Sequence, residues 1–275
     1  MMRAFSSEWV RLMRPGVLLG GGGTIVALTL LITGLMFAMA KPEADITRED
    51  LLSGRGTITR EMLQTEGGMV LAFALTGQLI GIVSLVIFAQ NLGAEYSQGT
   101  LKALLAREPR RLRVLFGKAL ALALLVTLAT LAAFVLQSLL AAVLAAAKGL
   151  DATPWFTQGS LRDAGLLVLR VILGAWAWGV IGLLLAILLR ASAAAVGIGI
   201  GYTVVAEPIV SLAFNKAAKY LPGRTLQSFM SWGAPPQPGQ PPGLDGPMAA
   251  TLLLVYMGIM LVVAVTLFQQ RDVAG

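Results

Sequence analysis

Six long apolar stretches, at residues 17–40, 68–89, 119–147, 165–189, 193–214 and 248–268, leave this chain one class of fold. Each is long enough to cross about 30 Å of hydrocarbon as a helix rising about 1.5 Å per residue. Of the 275 residues 57% are hydrophobic and 13% charged, against roughly 25% charged in a typical soluble domain. A soluble core of this size cannot hide that much apolar surface, and the apolar residues come in runs rather than alternating. The expectation is an all-α membrane protein with six transmembrane helices in a single transmembrane domain, residues 1–275.

The first stretch has features of a secretory signal, with Arg3, Arg11 and Arg14 ahead of it and Ala38-Met39-Ala40 imitating a cleavage site. Its apolar part is far longer than the usual signal core of about 7–15 residues, which predicts an uncleaved anchor. The chain holds neither Cys nor His. That removes disulfides, thiolate nucleophiles, Cys/His metal sites and imidazole acid–base steps.

The net charge is +7, and its placement sets orientation. With the N-terminus inside, the inner segments carry Arg3, Arg11, Arg14, Lys102, Arg107, Arg110, Arg111, Arg113, Lys118, Arg190 and Arg271. Against these eleven cations stand Glu8, Glu95, Glu108 and Asp272, so the inner side accounts for the whole excess. The positive-inside rule then predicts both termini inside. Cations gathered there favour the inner leaflet and a cytosolic partner over nucleic acid.

The outer segments differ in kind. Residues 41–67 are mixed in charge, with a short helix expected near 59–63. Residues 148–163 carry Pro154-Trp155-Phe156, suited to the headgroup interface. Residues 215–247 are rich in Pro and Gly and are expected to be an irregular extracytoplasmic loop. Residues 1–16 read as a cytoplasmic interfacial helix capped by Ser6 or Ser7, with Trp9, Leu12 and Met13 toward lipid. No internal repeat is visible, which weighs against an inverted-repeat secondary transporter.

The inner loop at residues 91–118 carries the most information. Gly99-Thr100 can open a helix with Thr100 as N-cap, and Leu101, Leu104 and Leu105 then share a face from which Lys102 is absent. Pro109 stops that helix. Arg110, Arg111 and Arg113 follow as the chain re-enters the third span. One reading is a polybasic anchor on anionic lipid. The other is a docking helix whose leucine face waits for a groove on another protein.

The pattern Glu95-Tyr96-x-x-Gly99-Thr100-Leu101-Lys102-x-Leu104-Leu105, then Arg107, Pro109, Arg111 and Gly117-Lys118, resembles the signature between the second and third spans of type-2, exporter-like ABC-transporter permeases. Ser97-Gln98 and Glu108 depart from it and make the surface less basic than is usual in that family. The resemblance implies a permease subunit that forms a homodimer or heterodimer and recruits two copies of a separate soluble ABC ATPase. The loop would be a cytoplasmic coupling helix, with Glu95, Tyr96, Gly99, Thr100, Leu101, Lys102, Leu104, Leu105, Arg107 and Arg111 engaging that ATPase. ATP and Mg would sit on the partner, leaving this chain without cofactor, metal or catalytic residue. The location implied is the cytoplasmic membrane of a prokaryote.

No G-x-x-x-x-G-K-[ST] phosphate loop occurs in the chain. The glycines at 20–23 and at 197, 199 and 201 instead suit close helix packing. Glu207-Pro208 falls within the fifth span. Glu207 there is either part of a gate or translocation path or a cap on a broken half-helix, and Pro208 predicts a kink or break. Gln78, Gln137 and Tyr202 are expected to make interhelical hydrogen bonds, Arg170 and Arg190 to snorkel from span ends, and Trp176 and Trp178 to meet lipid. Two further functions stand beside the exporter: a non-transport membrane scaffold anchored by its basic loop, and, with least support, an intramembrane enzyme.

Overall fold

The computed structural model describes residues 2–46, 58–101, 103, 110–232 and 243–270, with side chains at all of these except 2–4, 215 and 216. Six of its helices are long and apolar enough to cross a membrane. In chain order the main elements are α1 (Met2–Leu12), α2 (Pro15–Met39), α3 (Leu71–Ser97), α4 (Arg111–Ala147), α5 (Gln158–Leu189), α6 (Ser192–Ala213), α7 (Pro222–Met230) and α8 (Gly246–Gln270). The spans are α2, α3, α4, α5, α6 and α8. The helices outrun their apolar cores, since α3 continues past Ala89 to Ser97 and α4 begins eight residues before Ala119.

Packing centres on α3 against α5. Glycines let the two backbones close, because a Cβ on Gly182 would lie 2.2 Å from the Leu85 carbonyl oxygen. One on Gly81 would lie 2.2 Å from the Trp178 ring. Without hydrophobic expulsion from water to drive them together, membrane helices depend on such close van der Waals contact. Ser84 adds a cross-helix bond, its hydroxyl donating to the Ala175 carbonyl at 2.6 Å. Trp178 is fully buried, and Trp176 donates its ring N–H to Thr127 Oγ1 at 3.0 Å. Trp178 therefore packs on protein rather than on lipid, with Gly81 leaving room for its ring, while Trp176 is partly buried and ties its ring N–H to α4.

Both ends of the described chain reach the same end of the bundle. Glu8 of α1 meets Lys118 in the early turns of α4, and Arg111 donates to the Gln269 carbonyl at 3.3 Å. At the opposite end Thr59 caps the short helix Arg60–Leu63, accepting from the Met62 amide at 3.0 Å. Phe156 is exposed beside Trp155 at this end. Trp155 is buried, and its ring N–H donates to the Leu63 carbonyl at 2.8 Å.

The expectation of an irregular loop over residues 215–247 is corrected in its first half. Asn215–Ala218 forms one helical turn and α7 follows. Pro222 opens α7 at a position where its missing N–H costs nothing. Leu226, Phe229 and Met230, spaced i, i+3, i+4, are buried on one face. Residues 233–242 lie outside the described residues.

Pro208 neither breaks nor ends α6. The helix widens into a π turn over Tyr202–Ala206 and resumes at Glu207–Ala213. A wider turn relieves the clash of the proline ring with the carbonyl one turn back. A second π turn, Leu18–Gly22, occupies the glycine-rich start of α2.

Candidate functional site

Four charged side chains meet beneath the turn that leaves α3. Lys118 Nζ lies 2.6 Å from Glu8 Oε2 and 2.6 Å from Glu95 Oε1. Arg11 reaches Glu95 Oε1 at 2.5 Å and Glu8 Oε1 at 2.7 Å, and Asn91 Nδ2 donates to Glu8 Oε1 at 3.0 Å. Lys118, Glu8 and Glu95 are buried and Arg11 is partly exposed. The two anions and two cations cancel, so burial leaves no net charge to solvate. Glu95 Oε2 and Asn91 Oδ1 have no partner among the described residues, which marks this as a polar pocket with acceptor capacity to spare.

Each participant is placed by a helix. Glu8 and Leu12, one turn apart on α1, both face inward, and Phe5 stacks on Trp9 with ring centroids 6.1 Å apart. The expected outward face of α1 is corrected at Leu12, which is buried, and in part at Trp9, which packs against the core, whereas Met13 is exposed and Val10 more so. Ser6 and Ser7 lie inside the helix rather than capping it. Asn91 and Glu95 are one turn apart on α3, and Lys118 projects from α4.

The turn itself follows from Gly99, whose φ of 69° is the left-handed conformation that ends a helix after its C-cap. Thr100 is helical and does not act as an N-cap: its hydroxyl donates back to the Glu95 carbonyl at 3.5 Å. Leu101 is buried in the main apolar core and Tyr96 packs against that core. Of the residues expected to engage a partner, Glu95, Tyr96 and Leu101 therefore face their own bundle. Gly99 and Thr100 are exposed. Lys102, Leu104, Leu105 and Arg107, with Glu108 and Pro109, lie outside the described residues. Arg111 opens α4 beside Gln269.

Glu207 forms a second polar centre near the opposite end. Its carboxylate is buried and accepts from the Gly223 amide at 3.1 Å and the Arg224 amide at 2.6 Å. These are orphan N–H groups in the first turn of α7, so Glu207 caps that helix from another element. The helix it caps is α7, not a severed half of its own. Tyr256 Oη donates to the Tyr220 carbonyl at 2.5 Å, and Arg170 donates to the Trp232 carbonyl with its guanidinium 4.8 Å from the Trp232 ring centre. Gln137 makes its expected interhelical bonds, donating to the Met69 carbonyl at 3.1 Å and accepting from Thr33 at 3.4 Å.

In the sequence Glu8 and Arg11 stand only among the inner-side charges, and Lys118 only there and as the closing element of a motif. Their spacing carries no hint of pairing, since Glu8 and Lys118 stand 110 residues apart.

Fold and site define a multi-pass α-helical membrane protein with a charge-neutral clamp joining three helices at one end. The chain belongs to the family described as protein of unknown function (DUF2705), whose model matches residues 29–274. No curated protein matches it.

Proposed function

We propose that this chain is the transmembrane permease subunit of an ATP-driven exporter in the cytoplasmic membrane of a prokaryote, with the α1 end facing the cytosol. The observation that carries the reading is the clamp. Glu95, four residues before the Gly99 turn, is tied to Lys118 at the far side of the loop and to Arg11 on α1. Force applied to the segment between α3 and α4 would pass to three helices at once, as a subunit driven by a separate ATPase requires. The clamp also divides the motif. Glu95, Tyr96 and Leu101 anchor the segment, while Gly99, Thr100, Lys102, Leu104, Leu105 and Arg107 meet the partner.

Dimerisation belongs to the same reading. Most of the apolar stretch of α5 is buried, but little of that of α6 or α8, which leaves those two helices with faces for a second subunit. Glu207 then holds the outer helix α7 against α6 rather than serving as a contact for cargo.

The test is co-purification and stimulated ATP hydrolysis with a soluble ABC ATPase co-expressed with this chain. Leu104→Asp is expected to abolish both. ATPase binding that survives deletion of residues 99–108 overturns the docking role. A non-transport scaffold, favoured by the basic cluster at the start of α4, predicts no stimulation on reconstitution.

A further inference from the structure

Trp178 is fully buried, and its indole N–H has no hydrogen-bond partner among the described residues. A buried donor gives up its bond to water, and folded proteins almost always supply another. The indole edge faces α3, where a Cβ on Gly81 would stand 2.7 Å from Trp178 Nε1. The nearby Ser84 hydroxyl is already committed to the Ala175 carbonyl.

Gln78 stands three residues before Gly81 on α3, and side chains at that spacing leave the helix about 5–6 Å apart. Its carboxamide oxygen is also buried and without a partner among the described residues, so the interhelical bond expected of Gln78 does not form through that atom. A donor and an acceptor therefore lie within one helical turn of each other, both buried and not bonded to one another. Met230 closes the α7 side, since a Cβ on Gly174 would lie 2.8 Å from its sulfur and one on Gly77 3.6 Å. The other side meets the surface of the bundle: Gln78 is partly exposed, and Leu75 and Leu79 beside it on α3 are exposed.

We infer that Gln78 and Trp178 form a binding site for a hydroxyl group, supplied by water or by an amphipathic alcohol that enters along α3. A hydroxyl accepts from the indole and donates to the carboxamide at once. A ketone or ether serves only the indole, and an ammonium only the carboxamide. Inside a membrane span no bulk water competes for either group, which makes one ligand that satisfies both the favoured occupant. This site stands whether or not the chain is a permease.

The experiment is proton–nitrogen NMR of the five indole groups of the full chain, held in dodecylphosphocholine micelles, a detergent without hydroxyls. Trp178→Phe assigns the signal. Trp155 and Trp176, whose indoles donate to Leu63 and Thr127, give the hydrogen-bonded reference, because such a bond deshields its proton. The Trp178 proton is expected downfield with those two, and Gln78→Leu is expected to shift it upfield while leaving them in place. Gln78→Met, which keeps the side-chain length without the carbonyl, is the second variant should the first fail to fold. 1-Octanol and octane are then added in turn. A downfield shift with octanol alone, lost in the Gln78 variant, makes the ligand an amphipathic alcohol. A downfield signal indifferent to both additives makes it water. A Trp178 proton that stays upfield of the reference even in octanol overturns the site. So does one that the Gln78 variant does not move, or one that octane moves as far as octanol.

Discussion

Lys118 Nζ stands 2.6 Å from Glu95 Oε1, so a buried ion pair closes the chain across 23 residues at the point where α3 gives way to α4. Glu8 and Arg11 complete the group and bring α1 into it. A helix that would otherwise lie loosely along the membrane surface becomes part of the bundle.

Removing the lysine leaves two buried carboxylates with one cation. Lys118→Met is expected to destabilise the protein by about 3–5 kcal/mol, because a lone buried charge loses solvation without recompense. Adding Glu95→Leu to it should restore at least half of that loss, since Glu8 and Arg11 still pair. Unfolding in detergent by heat or denaturant measures both variants. Losses that simply add would refute the coupling.

Gly182 tests the α3–α5 contact. Gly182→Ala places a methyl 2.2 Å from the Leu85 carbonyl, where backbone cannot yield cheaply. A cost of about 1–3 kcal/mol is expected. A methyl on Gly197 would meet nothing within 4 Å, so Gly197→Ala should be neutral or stabilising by up to about 1 kcal/mol from helix propensity. Thermal unfolding of the pair in one detergent separates close approach from a general intolerance of change.

Glu207 holds α7 by two amides. Glu207→Ala is expected to cost about 1–3 kcal/mol and leave the Gly223 and Arg224 N–H groups unpaired. Hydrogen exchange should accelerate at those two amides and through Leu226, while amides of α3 stay protected. Unchanged exchange in α7 would show that apolar packing alone secures it.

Glu61 lies outside the spans, and hydrogen bonds from its own backbone N–H and that of Glu43 hold its carboxyl below the ordinary carboxylate range. A carboxyl with a depressed folded pKa adds stability that is fully present above its unfolded value, about pH 4.3. That contribution fades as pH falls through the lowered folded value. The protection of the Glu43 amide, which donates to Glu61 Oε2 at 3.1 Å, taken relative to its intrinsic exchange rate at each pH, should therefore fall on acidification. Glu61→Gln should flatten this response.

Much of the architecture was legible because lipid imposes a one-dimensional rule. Six apolar runs predict six spans without knowledge of what any of them touches, and the short helix near 59–63 is likewise a local event, whereas Gly99 closes α3 where the sequence pointed to the opening of a new helix at Gly99-Thr100. The short helix α7 was equally local: Pro222 and the Leu226, Phe229, Met230 spacing are its signals. They were masked by the proline and glycine content of the stretch, and apolar packing against α5 and α8 outweighs that composition.

What the sequence determined by itself is the set of membrane-crossing helices and the motif at Glu95–Arg111, because hydropathy and turn chemistry act over a few residues. Only the tertiary structure decided where the motif points. Glu95 and Leu101 turn inward because Lys118, Arg11 and the core meet them there, and Glu207 serves α7 because its amides arrive from 16 residues away. Such pairings depend on which helices lie side by side, and helix faces compete for partners only once the bundle is assembled.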